Sequence, residues 1–282
     1  MKRSISFIII FIIYILAFLV GFLTFFLLKQ LNISFTLKII ISDIVATIFV
    51  WVSGVALKNS SVYDPYWSVA PMVIIPFFVS KINLSTLLLL TIIFIWGIRL
   101  TLNWAYTFKS LKHQDWRYTY FKTNYPKSWQ FLNLFGINLM PTIIVISVML
   151  PAFKYLENPR FNLITVLGAL VSILGIVCES IADIEMHLFR KQNKNHTINN
   201  GLWKYSRHPN YFGEILMWWG VFIYSLSGNI SFLYIIGPLA LTALFYFVSI
   251  PLMERRLLEK KTDYLKYQRS TSKLILFPPK KH

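Results

Sequence analysis

The segment GLWKYSRHPNYFGE, residues 201 to 214, connects two long apolar runs at 161–188 and 211–227. An apolar run of about 20 residues is long enough to cross a hydrocarbon layer about 30 Å thick as a helix. The two runs therefore predict two membrane helices joined by a polar connection. Because that connection gathers two cations, an imidazole, an amide and a carboxylate, we expect it to be a cofactor site.

The composition of the whole chain indicates the same membrane setting. Of the 282 residues, 56% are hydrophobic and 14% are charged, against about 25% charged in a typical soluble domain. A shorter run at 66–80 contains two prolines and predicts a broken eighth span or a re-entrant segment. We therefore predict an all-α, polytopic integral membrane bundle of seven or eight helices, with its longer apolar runs at 5–28, 37–57, 84–105, 131–153, 161–188, 211–227 and 231–252.

The chain is expected to form one membrane domain over residues 1–282, since no internal repeat and no soluble domain is recognisable. The N-terminal MKRSIS and its apolar run resemble a signal peptide. That run is too long, however, and no small-residue cleavage site follows, so we interpret it as the first membrane helix. The single cysteine, Cys178, excludes an intramolecular disulfide and leaves too few thiols for a zinc or iron–sulfur site. We expect no metal.

The formal net charge of +17 is concentrated in the loops 106–130 and 189–210 and in the tail after Met253. The preference of Lys and Arg for the cytoplasmic side places all three in the cytosol. Eight spans then put both termini inside, whereas seven put the N-terminus outside. Much of this charge reflects topology and attraction to anionic headgroups. Nucleic acid is not expected, because no soluble domain presents the charge, but a polyanionic cofactor can dock where the basic loops converge.

Charged residues inside apolar spans are costly and therefore informative. Glu179, Asp183 and His187 recur at intervals of four, which places them on one helical face, and Arg190 continues that face toward the cytosol. One interpretation is a structural ion pair of these acids with Arg99 or with Arg207. The other is a set of cofactor ligands in a cavity that water can reach.

The connecting segment, residues 201–214, has the groups that an anionic cofactor needs. Arg207 and His208 precede a proline that begins a helix, and the free amides of a helix start attract anions. Asn210 offers both a donor and an acceptor, which suits a carboxamide or a ribose. Gly213 permits close approach of a ring or backbone. Glu214, one turn in, can fix an arginine or accept from a hydroxyl.

Five motifs resemble a known superfamily: YDPYWS at 63–68, WGIRLT at 96–101, DWRY at 115–118, YSRHPNYFGE at 205–214 and IPLMERR at 250–256. From about Leu163 onward, the chain resembles the C-terminal domain of the steroid 5-alpha-reductase superfamily. That superfamily includes sterol C14 and C7 reductases, whose equivalent runs read much like RHPNYxGD. The whole chain is most similar to a bacterial-type branch known only as a domain of unknown function.

The resemblance implies an NADPH-dependent reductase that reduces a carbon–carbon double bond in a lipid taken from the bilayer. Residues 163–282 would bind the cofactor, and residues 1–130 would form the substrate side. Glu179 and Asp183 fall where steroid reductases hold the nicotinamide with an asparagine and an aspartate. The residues expected to bind the cofactor are Glu179, Asp183, Arg190, Arg207, His208, Asn210, Tyr211, Gly213, Glu214, Arg117 and Arg255.

On the substrate side, steroid reductases polarise a keto oxygen with a glutamate and a tyrosine, whose places fall near Asp64 and on Trp96. A tryptophan cannot donate a phenolic proton, so at Trp96 the chain departs from the pattern that serves 3-oxo-steroids. Hydride addition to an enone builds negative charge on the carbonyl oxygen, and an acidic donor there lowers the barrier. Asp64 with a raised pKa, or Tyr63 or Tyr66 beside it, can be that donor. Asp64, Tyr66 and Trp96 are therefore the candidate catalytic residues.

Three of these residues also have simple structural interpretations. Asp64 can cap the helix that follows Pro65. Arg117 can contact a phosphate or pair with Asp115 in its own loop. Arg255 can clamp the adenosine phosphates or end its helix at the headgroups.

Two other functional classes share part of the pattern. Isoprenylcysteine and phospholipid methyltransferases also carry RHPxYxG and bind S-adenosylmethionine there, although they usually lack an acid at the position of Glu214. Three basic loops suit the phosphates of NADPH better than they suit the sulfonium cation of S-adenosylmethionine. A scaffold or transporter is the third class, but the ionisable residues lie at the cytosolic ends and no repeated halves are seen. No obligate protein partner is indicated.

Overall fold

The computed structural model describes residues 2–192 and 196–280. These residues contain helices and turns but no β-strand, which confirms the all-α prediction. The α-helices in chain order are α1 Arg3–Leu27, α2 Phe35–Ala56, α3 Tyr66–Ile74, α4 Leu84–Thr107, α5 Trp116–Asn124, α6 Trp129–Phe131, α7 Met140–Glu157, α8 Leu163–Gln192, α9 Pro209–Leu226, α10 Ile236–Ala243, α11 Ile250–Lys260 and α12 Tyr264–Ser270. Two π-helical segments, Leu132–Leu139 and Leu244–Ser249, continue directly into α7 and α11.

Six helical stretches in the described residues are long and apolar enough to cross a membrane, which supports a multi-pass membrane protein. They are Arg3–Gln30, Phe35–Ala56, Leu84–Thr107, Trp129–Glu157, Leu163–Gln192 and Phe232–Lys260. Both remaining predicted spans are helical, but neither belongs to this set. The run 66–80 divides into the nine-residue α3 and the 3-10 turn Ile75–Phe78, because a proline removes a helical hydrogen bond. In α9, the polar side chains of Asn210, Tyr211 and Glu214 lower the mean hydropathy.

The chain divides into two compact units, and the first contains residues 1–78 and 93–149. Its apolar core includes Ile10 and Ala17 of α1 with Ala46 and Val50 of α2. α2 begins at Ser34, whose side chain accepts a hydrogen bond from the Leu37 amide, as a good N-cap does.

A buried hydroxyl chain crosses the first unit. The Oγ1 atoms of Thr47 and Thr142 lie 3.1 Å apart, and Thr142 Oγ1 lies 2.8 Å from the Tyr63 hydroxyl. Buried polar groups are stable when they pair in this way. The chain therefore joins α2, α7 and the turn Ser60–Tyr63 that precedes the YDPYWS motif.

The second unit contains residues 79–92 and 150–282, and small residues bring its helices α8 and α9 together. A Cβ added at Gly175 or Gly213 would overlap the backbone of the facing helix. A Cβ at Gly220 would likewise overlap Ser172. Glycines at such positions let two helix backbones approach closely, as they do in many membrane helix pairs. This packing places Glu179 of α8 against Gly213, near the start of α9.

Candidate functional site

The first residues of the connecting segment 201–214 are hydrogen-bonded to α8. Gly201 has a positive φ of 55°, and the Glu185 carboxylate occupies the place where a Cβ on Gly201 would lie. Glu185 Oε2 accepts a hydrogen bond from the Leu202 amide at 2.9 Å. The Trp203 indole donates to the Ala182 carbonyl at 3.0 Å. Only glycine combines this backbone angle with this close approach.

The next residues of the segment are attached to the C-terminal tail. The amide of Arg207 donates to the Ser272 carbonyl at 2.9 Å, and Ser206 Oγ donates to the Leu274 carbonyl at 2.7 Å. The Tyr267 hydroxyl donates to the Trp203 carbonyl at 2.5 Å. The polar connection between α8 and α9 is therefore held by α8 on one side and by the C-terminal residues 267–274 on the other.

Arg207 lies at the centre of a buried network. Its Nε lies 2.6 Å from Glu254 Oε1, and its Nη1 donates to the carbonyls of Gln268 and Thr271 at 2.5 and 3.0 Å. Its Nη2 reaches Glu254 Oε2 at 3.3 Å, and its side chain is 10% exposed. The guanidinium therefore joins α9 to α11 and to the tail. In the described residues this arginine forms its ion pair with Glu254 of the IPLMERR motif and not with the acids of α8, as one interpretation of the sequence predicted.

His208 extends the same network toward α9. Its Nε2 lies 3.1 Å from Glu254 Oε1, and its ring stacks on that of Tyr211 with centroids 5.4 Å apart. Burial lowers the pKa of His208, although the hydrogen bond to Glu254 opposes that change. The imidazole is thus neutral near pH 7. Tyr211 also packs against Phe245, at 4.6 Å between centroids, so His208 and Phe245 together hold the phenol ring.

Three further motif residues have different surroundings. Gly213 lies against the backbone of Glu179, so its missing side chain is used for helix packing. Glu214 is 2% exposed and accepts a hydrogen bond from the Trp218 indole at 3.0 Å. Asn210 is half-buried, and within residues 2–192 and 196–280 its amide makes no hydrogen bond. The Asn210 amide is therefore available to a ligand.

Two cations, each with an acidic neighbour, lie near Tyr211, the residue that follows this asparagine. The guanidinium of Arg190, at the end of α8, interacts electrostatically with Asp183 and Tyr211. Lys261, just after α11, is half-buried, and burial lowers its pKa. The charge of Arg190 lowers that pKa further, while Asp263 opposes it. Two cations thus share one region beside Tyr211.

The remaining predicted cofactor residues lie on α8 and α11. Glu179 is 4% exposed, whereas Asp183 is half-buried, and both lie on α8 as the spacing predicted. Arg255 is exposed, and its Nε lies 3.6 Å from Glu259 Oε1, one turn along α11.

In the first unit, the YDPYWS and DWRY motifs meet. The hydroxyl of Tyr118 donates to Asp64 Oδ1 at 2.5 Å, and the amide of Asp115 donates to Ser61 Oγ at 2.8 Å. Burial raises the pKa of Asp64 to about 6, against the opposing effects of the Arg117 charge and the Tyr118 hydrogen bond. This pKa suits a group that exchanges a proton near neutral pH.

The sequence also offered structural roles for Asp64 and Arg117, and the two roles have different outcomes. α3 begins after Pro65 without a side-chain cap, so Asp64 does not serve as its N-cap. Asp115 caps α5 by accepting from the Arg117 amide at 2.8 Å. The same carboxylate oxygen lies 2.8 Å from Arg117 Nε, so the ion pair within the loop is present. A phosphate contact of Arg117 stays a prediction.

The other two catalytic candidates are deeply buried. Trp96 is 0% exposed, in α4. The hydroxyl of Tyr66 donates to Asp43 Oδ1 at 2.7 Å and is therefore already used. Sequence reasoning did not single out Asp43, although an acid inside an apolar span is itself a signal of function. It also passed over Tyr118, whose neighbours in the chain give no sign of its distant partner.

Comparison with known proteins places the chain in a family without supplying an activity. The model of the family described as "Protein of unknown function (DUF1295)" matches residues 50–271. The chain belongs to this family. No curated protein and no solved structure matches it significantly.

Proposed function

We propose that this member of the DUF1295 family is a membrane-embedded reductase that uses NADPH to reduce a carbon–carbon double bond conjugated to a carbonyl in a lipid. The observation that carries the proposal is the available amide of Asn210, which directly precedes Tyr211, a residue that interacts electrostatically with the cation Arg190. Such a group suits a carboxamide or a ribose, and clustered cations suit phosphates. The resemblance of YSRHPNYFGE to the steroid 5-alpha-reductase superfamily supports the same cofactor.

Within this proposal, the motif residues divide into two roles. Arg207 and His208 act as positioning residues, because their polar atoms are bonded to the tail and to Glu254. Gly213 serves the packing of α8 against α9. The proposed cofactor contacts are Asn210, Tyr211, Asp183 and Arg190, with Glu179 and Glu214 as buried acids, Lys261 as an added cation, and Arg255 as a further phosphate contact.

When bound, NADPH would supply a hydride to the double bond. The chain must then stabilise the negative charge that develops on the conjugated carbonyl oxygen. Asp64 is our candidate for the donor, because its pKa of about 6 leaves a protonated fraction near neutrality. The Tyr118 hydroxyl, at 2.5 Å, holds the carboxyl in one orientation. Tyr66 is less suited, since its proton is directed to Asp43.

The cytosolic side is the proposed location of the cofactor site and of the C-terminus. Arg190 and Lys191 lie in the last turn of α8, and Lys261 follows the last membrane helix, so these three cations lie at helix ends. Lys and Arg at such places favour the cytoplasm. NADPH is supplied there as a soluble metabolite, so the proposed topology and cofactor agree.

Ligand-dependent stability separates this proposal from its alternative. Protein purified in detergent would be titrated with NADPH and, separately, with S-adenosylmethionine while thermal unfolding is followed. A ligand that binds only the folded state stabilises it by about 2.7 kcal/mol at 100 times its Kd. We expect a concentration-dependent rise in Tm with NADPH. A rise with S-adenosylmethionine alone would reject the reductase.

A methyltransferase that uses S-adenosylmethionine is the second candidate. It is favoured by the buried acids Glu179 and Glu214, 4% and 2% exposed, because carboxylates suit a sulfonium cation. The cations Arg190 and Lys261 argue for phosphates instead, so NADPH remains the first choice.

A further inference from the structure

A cavity of about 290 Å³ lies within the first unit, among α1, α2 and α3. Its walls are almost entirely apolar and include Phe25, Ile39 and Ala46. Phe22 and Phe77 also line it and are 55% and 51% exposed, so they stand at its mouth. Pockets of roughly this size and character hold small ligands.

The polar side of this cavity is formed by the pair Asp43 and Tyr66. Asp43 is 5% exposed in the middle of α2. Its Oδ1 accepts the Tyr66 hydroxyl, whereas its Oδ2 is buried and has no hydrogen-bond partner in the described part of the chain. A buried oxygen left in this way is costly, and such groups are rare unless something outside the chain satisfies them.

The other polar side chains of the cavity are already satisfied. The Tyr14 hydroxyl donates to the Val62 carbonyl, and Ser42 Oγ donates to the Lys38 carbonyl, each at 2.8 Å. Asp43 is therefore the place where a polar group of a ligand would bind, and the aromatic walls would take its apolar part.

We propose that this cavity binds a lipid alcohol, with its hydroxyl at the Asp43 carboxyl group and its chain along the phenylalanines toward the bilayer. A hydroxyl both donates and accepts, so it can pair with Asp43 whether that carboxyl is ionised or protonated. A ketone can pair only with the protonated form, and an ammonium pairs best with the ionised form.

This site is built from residues of the first unit alone, and it requires no bound NADPH. In this site Tyr66 orients Asp43, and the hydroxyl is the polar group of the lipid that the chain recognises. The proposal therefore stands or falls independently of the reductase, since lipid binding and NADPH binding are measured separately.

The binding test uses tritiated 1-dodecanol on the full-length protein in detergent. Unlabelled 1-dodecanol, dodecane, 2-dodecanone and dodecylamine compete for the site. We expect the alcohol to compete about tenfold better than the alkane, the effect of about one buried hydrogen bond to a carboxyl group. Equal competition by alkane and alcohol, or stronger competition by the ketone or amine, would overturn the proposal.

Variants then locate the site. The double substitution Asp43→Leu with Tyr66→Phe removes both members of the pair, so no orphaned partner remains buried, and it should abolish the preference for the alcohol. Ser42→Ala, which removes a polar group of the same cavity that is already satisfied, should keep that preference. Val73→Trp, at the partly exposed rim, should weaken dodecanol binding at least fivefold even if the double variant does not fold. Unchanged binding in Val73→Trp would contradict the location.

Discussion

The hydroxyl of Tyr118 and Oδ1 of Asp64 lie 2.5 Å apart, although 54 positions separate the two residues in the chain. This hydrogen bond joins the DWRY motif to YDPYWS and holds a partly buried carboxyl in one orientation. Burial still dominates over the bond, and the pKa of Asp64 rises to about 6. Two motifs that look separate in the sequence thus form one acidic centre.

Replacing Asp64 should alter how stability depends on pH. The pKa of Asp64 in the folded state, about 6, exceeds its ordinary value of 3.8, so the folded state holds this proton more tightly and wild type loses stability as pH rises from about 4 to 6. Asp64→Asn removes that loss and should be more stable than wild type at pH 7, by about 1–3 kcal/mol. The advantage should vanish near pH 4. Thermal unfolding at both pH values provides the measurement, and a constant difference would contradict the raised pKa.

Replacing Arg207 should affect folding before cofactor binding. Arg207→Ala leaves Glu254 buried without its main cation, a change that costs about 3–5 kcal/mol when a buried pair is broken. We expect a clear fall in Tm without any ligand, and partial recovery in the double variant Arg207→Ala with Glu254→Gln. If Arg207→Ala kept the wild-type Tm but bound NADPH poorly, Arg207 would be a cofactor ligand after all.

Replacing Asn210 should weaken cofactor binding without affecting folding. Because its amide makes no hydrogen bond within residues 2–192 and 196–280, Asn210→Ala should leave the Tm unchanged. It should weaken NADPH binding about three- to tenfold, as the loss of one or two hydrogen bonds does. Asn124→Ala, on the exposed face of α5, is the matched control and should bind normally. The measurement is the NADPH dependence of Tm in all three proteins.

Gly213 and Gly136 form a contrasting pair. A Cβ at Gly213 would overlap the Glu179 backbone, whereas nothing lies within 4 Å of a Cβ at Gly136. Gly213→Ala should therefore lower stability by about 1–3 kcal/mol through overpacking. Gly136→Ala should be neutral or slightly stabilising, since alanine suits helices better. Equal thermal stability of the two variants would show that α8 and α9 are not packed as described.

The sequence by itself determined the helical, membrane-embedded character of this protein. Long apolar runs need internal backbone hydrogen bonds in lipid, and that requirement is local to each segment. The positions of the α8 residues followed from helical periodicity in the same way. Even the number of spans was only partly determined, because α3 and α9 mix helix-forming sequence with prolines or polar groups.

Only the tertiary structure decided which polar groups pair. Arg207 pairs with Glu254, and the Tyr66 hydroxyl donates to Asp43. Gly213 lies in the contact between α8 and α9. Each of these partners lies 23 or more positions away in the chain, where periodicity carries no information. Packing brings them together, and burial then makes pairing obligatory because an unpaired polar group in an apolar interior is costly. The roles of the motif residues therefore depend on contacts that no single segment encodes.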